Sequence, residues 1–196
     1  FSIDFFAFLT TFGQTELRYT LDYDAVKTFL QIRFNDLPTS ELTLSGNPSE
    51  SINFRINLTA GKDLSVNEIV PEVGLLRSAF LAFGLQLNDN LNINPSWRYS
   101  RLERTDDGED FFEGSIARLN VRYQFNKAFN IRIITEKNTF NNQFFVQPLV
   151  QWNPNPSTIF YLGGNQTSLE NLEDAHFQLL QFNRSQFFVK FQYLID

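Results

Sequence analysis

The chain has 196 residues, a formal net charge of -6, no Cys and a single His. The acidic balance argues against a nucleic-acid partner, which would require a basic surface, and the lack of Cys excludes disulfides and a thiol nucleophile. Phe occurs 23 times, yet no apolar stretch approaches the ~20 residues of a membrane-spanning helix. Large apolar side chains interleaved with polar ones predict a sheet with two unlike faces. We therefore expect a single all-β domain over residues 1–196.

The first half of the chain predicts strands less clearly than the second half. Its first candidate, Phe1–Leu9, is apolar on both faces, whereas Ile52–Leu58 alternates apolar and polar residues in the pattern of a strand. The segment Lys62–Gly74 is predicted to be a loop. The remaining strand candidates in this half are Leu17–Tyr23, Thr28–Phe34, Glu41–Ser45 and Leu81–Leu87.

The second half alternates with a period of two residues in five runs, a pattern that predicts strands and excludes helices. Ile134, Phe145 and Leu149 are apolar exceptions on the polar side of their runs. Each run has roughly ten residues, which matches the ~9–11 residues of a tilted strand that crosses a bilayer. With the first half, about twelve strands are predicted. The five runs are Leu91–Arg101, Ala117–Phe125, Phe129–Glu136, Phe144–Trp152 and Gln186–Ile195.

The connections between these runs alternate in length. Asn88–Asn90, Asn126–Lys127 and Asn153–Pro156 are tight and rich in turn formers, whereas Leu102–Gly114 and Gly164–Ser185 are longer and polar. Short periplasmic turns and longer extracellular loops are typical of outer-membrane barrels. The sequence therefore predicts an antiparallel up-and-down transmembrane β-barrel, either complete or an arc of a larger one.

Six charged side chains fall on the polar faces of the predicted strands. Arg and Lys that face lipid cost about 2–4 kcal/mol at mid-bilayer, so these side chains are expected to face the lumen. They either form a pore wall that tunes selectivity or fill a small or plugged lumen. The six residues are Arg98, Arg118, Arg122, Arg132, Glu136 and Lys190.

Trp and Tyr residues near the predicted strand ends form a second candidate group. Such rings favour the membrane interface, and their position on the apolar face favours an aromatic girdle over an alternative role in stacking on sugars. The predicted interface residues are Trp97, Tyr99, Tyr123, Trp152, Tyr161 and Tyr193.

The sequence predicts no catalytic residue, no metal site and no cofactor. His176 lies in a predicted loop without the further imidazole or thiolate groups that a triad or a zinc site needs. The acidic run Asp106–Asp110 with Glu113 is oxygen-rich, as calcium sites are, but its spacing does not match an EF-hand. It is interpreted as a solvated loop, with bridging of divalent ions to lipopolysaccharide as an alternative.

About the last hundred residues resemble the C-terminal barrel region of large Bacteroidota-type outer-membrane proteins, in which a family 9 carbohydrate-binding-like domain commonly precedes the barrel. The segments that carry this resemblance are Ser100–Arg104, Arg118–Asn126, Gln147–Leu149, Trp152–Pro156, Thr158–Gly163 and Phe187–Leu194.

The resemblance implies a non-enzymatic, porin-like barrel in the outer membrane, acting as an anchor or pore for a glycan-handling or uptake system. Its implied partners are the lipid bilayer, lipopolysaccharide and other surface proteins. It also implies a longer N-terminal part, so that the last strand, Gln186–Ile195, is expected to pair with a strand upstream of Phe1. The alternative that the residues leave open is a soluble all-β carbohydrate-binding domain, in which the same alternation separates core from water.

Overall fold

The computed structural model describes residues 2–9, 14–22, 27–29, 32–65, 71–170 and 180–194. These residues form thirteen β-strands and no helix, and accordingly they contain no helical segment of the length and apolarity needed to span a membrane. The strands are β1 Ser2–Leu9, β2 Thr15–Asp22, β3 Lys27–Phe29, β4 Ile32–Phe34, β5 Thr39–Ser49, β6 Ile52–Ser65, β7 Glu72–Asn88, β8 Leu91–Arg104, β9 Asp110–Asn126, β10 Phe129–Asn138, β11 Gln143–Asn155, β12 Thr158–Glu170 and β13 Leu180–Tyr193.

Eleven of the strands form one sheet in the order β1-β2-β5-β6-β7-β8-β9-β10-β11-β12-β13, and β3 and β4 form a separate hairpin. Neighbouring strands pair antiparallel, as in the ladders β1–β2, β5–β6 and β9–β10. Each strand of the large sheet therefore lies beside the previous one, interrupted only by the small hairpin. This confirms the predicted all-β, antiparallel up-and-down fold class.

Several predicted boundaries are corrected. Thr28–Phe34 is not one strand, because Lys27–Phe29 pairs with Ile32–Phe34 across a hairpin. The predicted loop Leu102–Gly114 contracts to Thr105–Glu109, since the strand ladder continues through polar residues on both sides of it. For the same reason β12 extends into the predicted Gly164–Ser185 loop as far as Glu170. The change from apolar to polar residues in the sequence therefore shows where the apolar band of a strand ends. The strand itself continues further, because its backbone hydrogen bonds do not depend on side-chain polarity.

Asn residues shape the tight turns. The side-chain oxygens of Asn88, Asn126 and Asn155 each accept a hydrogen bond from the backbone N–H two residues later, at 2.9, 2.8 and 3.1 Å. This Asx-turn geometry satisfies a backbone donor locally and reverses the chain in two residues. Asn138 forms the same contact with Phe140 at 2.9 Å, in the four-residue turn that follows β10.

The chain divides into two compact units. Unit 1 comprises Phe1–Ala82 and Trp97–Ser115, and unit 2 comprises Phe83–Ser96 and Ile116–Asp196. Among the described residues of unit 1, the buried hydrophobic side chains are Leu37, Leu64 and Leu102, and among those of unit 2 it is Ile134. Each unit therefore has little apolar core of its own.

Candidate functional site

Register across β9, β10 and β11 separates an apolar face from a polar face in unit 2. Val121 lies opposite Ile133, which in turn lies opposite Pro148, whereas Arg118 lies opposite Glu136. Because side chains alternate along a strand, residues in directly paired positions share a face. We name these surfaces the apolar face, which contains Val121, and the polar face, which contains Arg118.

The apolar face is uncovered. Twenty large hydrophobic side chains are exposed among the described residues of the chain, against four buried ones. On β12 and β13 the exposure reaches 44% for Leu162, 69% for Val189 and 57% for Phe191. A soluble sheet normally covers such a face with a second layer. Here the described residues provide no such layer.

Aromatic rings form a continuous row on the apolar face beside the tight turns of unit 2. Tyr123 contacts Phe125 edge-on at 4.6 Å between ring centroids, and Phe125 lies 5.2 Å from Phe129. Phe129 is the register partner of Trp152. The row continues from Trp152 to Phe160 at 5.2 Å and from Phe160 to Phe191 at 5.0 Å.

Two further predicted interface aromatics lie in unit 1. Trp97 and Tyr99 stack at 6.0 Å with an interplanar angle of 13°. The Tyr99 hydroxyl donates a hydrogen bond to Glu113 at 2.8 Å. Tyr99 therefore has the features of an aromatic residue at a membrane interface, with an apolar ring and a hydroxyl group that is hydrogen-bonded at the surface.

The placement of Tyr161 on the apolar face is wrong. Tyr161 is the register partner of both Gln151 and Lys190, and the Lys190 ammonium lies 5.7 Å from the centre of its ring. Its neighbours Phe160 and Leu162 occupy the apolar face instead. Tyr193 does share that face, since it pairs with Thr158 two positions from the Phe160–Phe191 contact.

The predicted polar residues of unit 2 gather on the polar face. Arg118 and Glu136 form an ion pair at 3.4 Å, and Lys190 caps the ring of Tyr161. Arg184 joins this face as the partner of Thr167. Among the described polar-face residues that unit 2 contributes to β9–β13, five cations face one carboxylate, and the cations are Arg118, Arg122, Arg132, Arg184 and Lys190.

The three apolar exceptions of the sequence pattern also meet on the polar face. Ile134 is 6% exposed and lies opposite Gln147, with Phe145 and Leu149 at the two diagonal positions. Leu149 lies opposite Gly163, where an added Cβ would be 2.9 Å from Leu149 Cδ1 and 2.8 Å from Phe188 Cζ. The polar face therefore contains an apolar patch that strand periodicity alone did not predict.

Unit 1 carries a hydrogen-bond network on its own polar side. The Asn57 amide donates to Glu41 at 2.6 Å and to Thr43 at 2.9 Å, and its oxygen accepts from Thr59 at 3.2 Å. Arg98 lies over the ring of Phe80 at 5.2 Å. The contacts of Asn57 satisfy its amide within the sheet, as expected of a filled polar wall.

A cavity of about 770 Å³ lies beside the tight-turn end of unit 1. Glu16, Ser45, Asn53, Arg55 and Phe80 are among its lining residues. Its lining combines charged, amide and aromatic groups.

The acidic loop is held by two arginines. Arg101 contacts Asp110 at 2.7 Å, and Arg104 contacts Asp107 at 3.2 Å and Glu72 at 3.1 Å. The backbone N–H of Glu109 also donates to Asp107, and this hydrogen bond, together with the Arg104 guanidinium, lowers the pKa of Asp107 below its ordinary value. Within the part of the chain that the structure describes, no group of three or more His, Cys, Asp or Glu residues could hold a metal ion. His176 lies outside the described residues.

No family model matches the sequence, and no curated protein matches it either. A solved structure described as the NanC porin in a rhombohedral crystal form is similar over 99% of this chain and 98% of its own, with 10% sequence identity and a TM-score of 0.42. A likeness at this level assigns neither a family nor a function to the chain.

Proposed function

We propose that the chain is a membrane-embedded β-barrel polypeptide of an outer membrane, whose polar face lines an aqueous pore. One observation carries the proposal: the uncovered apolar face with its row of aromatic rings. Such a face is stable in contact with acyl chains, and aromatic rings at its border suit the lipid headgroup region.

Strand dimensions support the same proposal. The apolar run on β9 from Ala117 to Phe125 covers about 26 Å of strand at ~3.3 Å per residue. A tilt of ~40° reduces this to about 20 Å, close to the ~25 Å apolar band of outer-membrane barrels. Strands β7 and β9 each have 17 residues, well above the 5–6 residues typical of soluble strands.

The resemblance of the last hundred residues to Bacteroidota-type barrels supports a role as anchor or pore for a glycan-handling or uptake system. Binding of solutes, and not catalysis, is the proposed activity. The partners that this role requires are the bilayer and lipopolysaccharide, which contacts outer-membrane barrels from the outer leaflet.

Cysteine labelling tests which medium each face meets. Val121→Cys and Arg122→Cys place a thiol at adjacent positions of β9 on opposite faces, in a chain with no other Cys. In vesicles, a lipid-soluble label should react with Cys at position 121 and a water-soluble label at position 122. Equal aqueous labelling of both, together with extraction of the protein without detergent, would favour the soluble carbohydrate-binding alternative.

A further inference from the structure

Arg122 and Arg132 form a pair on the polar face of unit 2 that has no ion-pair partner among the described residues. They are direct register partners across β9 and β10, a position in which Cβ atoms lie ~5 Å apart and like charges destabilise the ladder. Sequence spacing gives no hint of this pair, since it depends on the register between two strands.

The neighbouring carboxylate does not neutralise the pair. Glu136 contacts Arg118 at 3.4 Å, and it lies four residues from Arg132 along β10, or about 13 Å at ~3.3 Å per residue. Within the described residues the Arg132 Nε is buried without a hydrogen-bond partner. An unpaired buried donor is costly, more so when it is charged, so this arrangement favours a hydrogen-bond acceptor or counter-charge from beyond the described residues.

The groups around the pair are amides and apolar side chains. Asn120, which lies diagonally across from Arg132 on the same face, has a buried side-chain oxygen that lacks a partner among the described residues. Leu149 lies opposite Arg132 on β11, and the buried Ile134 follows on β10. The apolar pair excludes water on one side and strengthens electrostatic attraction. Further amides at neighbouring positions of this face are Gln124, Asn130, Gln147 and Gln151.

We propose that Arg122 and Arg132 bind the anionic group of a small hydroxylated solute at this point of the polar face. Guanidinium forks match the geometry of carboxylate and phosphate oxygens. The accessible amides beside the pair, Gln124 and Asn130, can hydrogen-bond to hydroxyl groups of the solute, which neither chloride nor a simple fatty acid provides beside its charge. The substrate class is therefore hydroxy acids or sugar phosphates. The proposal rests on the proposed function, because a pore delivers solutes to this face.

Titration calorimetry of the full chain in detergent micelles tests the site without requiring a pore. The probes are D-gluconate, for the hydroxylated carboxylate, and glucose 6-phosphate, for the hydroxylated phosphate, with uncharged glucose as the reference solute. We expect one or both anions to bind and glucose not to bind. Arg132→Gln should weaken binding about tenfold or more, since charge-assisted hydrogen bonds are the strong ones.

Two further variants distinguish specific binding at Arg122 and Arg132 from a general attraction of anions to the cationic polar face. Arg184→Gln removes one charge from the same face at an exposed position on β13 and should change affinity less than about twofold, since exposed charges are screened. Arg132→Lys keeps the charge and loses the fork, so it should weaken binding while leaving the fold intact. Absence of binding by both anions, or equal losses for Arg184→Gln and Arg132→Gln, would overturn the proposal.

Conductance in planar bilayers separates this inference from the proposed function. A chain that conducts and prefers anions, with gluconate reducing the chloride current in the wild type but not in Arg132→Gln, supports both. A chain that conducts without any effect of gluconate, glucose 6-phosphate or Arg132→Gln refutes the site and leaves the pore. A chain that binds the anions in micelles but never conducts refutes the pore and leaves the site.

Discussion

Gly61 is a position where a single hydrogen atom in place of a side chain decides whether two strands pair. A Cβ at this residue would collide with the backbone oxygen of Pro38 and lie 2.7 Å from Thr39 Cα. The close approach allows Thr39 to pair with Gly61 and the Lys62 N–H to bond to the Pro38 oxygen at 2.9 Å. Because backbone atoms block the site, rotation of a side chain cannot relieve the collision.

Gly61→Ala should therefore destabilise the chain by about 1–3 kcal/mol, the usual cost of overpacking. The matched control is Gly108→Asn. Gly108 has a positive φ of 75°, but a Cβ added there would lie no closer than 3.6 Å to the nearest atom, Glu103 Oε1. Asn tolerates the left-handed region, so the control should cost less than about 1 kcal/mol. Urea titration of the folded fraction in micelles measures both, and a Gly61→Ala variant as stable as the control would contradict the close approach.

At the scale of elements, strand β11 shows both faces in consecutive residues. Val150 pairs with Ile131 and Leu162 on the apolar face, and Gln151 pairs with Asn130 and Tyr161 on the polar face. The two positions lie at nearly the same height along the strand. A substitution at each therefore compares the faces with depth held constant.

Val150→Arg should destabilise the chain in lipid vesicles by about 1–3 kcal/mol, because Val150 lies between the middle of the apolar run and the aromatic row at Trp152, and the cost of a lipid-facing arginine falls from about 2–4 kcal/mol at mid-bilayer toward the interface. Gln151→Arg should change stability by less than about 1 kcal/mol, since a polar face already accommodates guanidinium groups. Equilibrium unfolding of both variants in vesicles measures the difference. Similar losses for the two would mean that both faces are packed against protein.

The period-two alternation of apolar and polar residues predicts the face on which a side chain lies, but it does not predict the register between neighbouring strands. It placed Val121 and Arg122 on opposite faces because each β-strand alternates strictly. It misplaced Tyr161, since an aromatic ring with a hydroxyl suits either face. It also could not predict the Arg122–Arg132 pair or the meeting of Leu149 with Gly163, which depend on the register between strands and so on turn lengths.

At the scale of the whole chain, charge and loop length are distributed unevenly. The net charge is -6, yet the described polar face of β9–β13 is cationic, and six of the acids lie between Glu103 and Glu113 around one loop. Turns after β5, β7, β9 and β11 have two residues, whereas those after β8 and β10 have five and four. Since neighbouring strands are antiparallel, these two kinds of turn alternate between opposite ends of the strands.

This alternation predicts the orientation in an outer membrane. The loop at Asp106–Asp110 should be extracellular and the turns at Lys127 and Pro156 periplasmic, since outer-membrane barrels carry their short turns on the periplasmic side. The segment Glu170–Asp174 belongs to the predicted Gly164–Ser185 loop and should be extracellular for the same reason; its residues after Glu170 lie outside the described residues.

Epitope tags inserted after Gly108 and after Asn155 test this orientation on intact cells. Gly108 lies in an exposed loop, and Asn155 is the exposed last residue of β11 before the turn at residues 156–157. An insertion after either residue therefore falls in a connection between strands, where insertions are best tolerated. An antibody added outside should reach the tag after Gly108 and should reach the tag after Asn155 only once the outer membrane is permeabilised. Access to the second tag alone would show that the orientation is inverted, and access to both on intact cells would show that the chain does not span the membrane between them. The acidic loop then has its own consequence: on the outer face, its Asp and Glu residues that Arg101 and Arg104 hold would lie at the level of lipopolysaccharide headgroups.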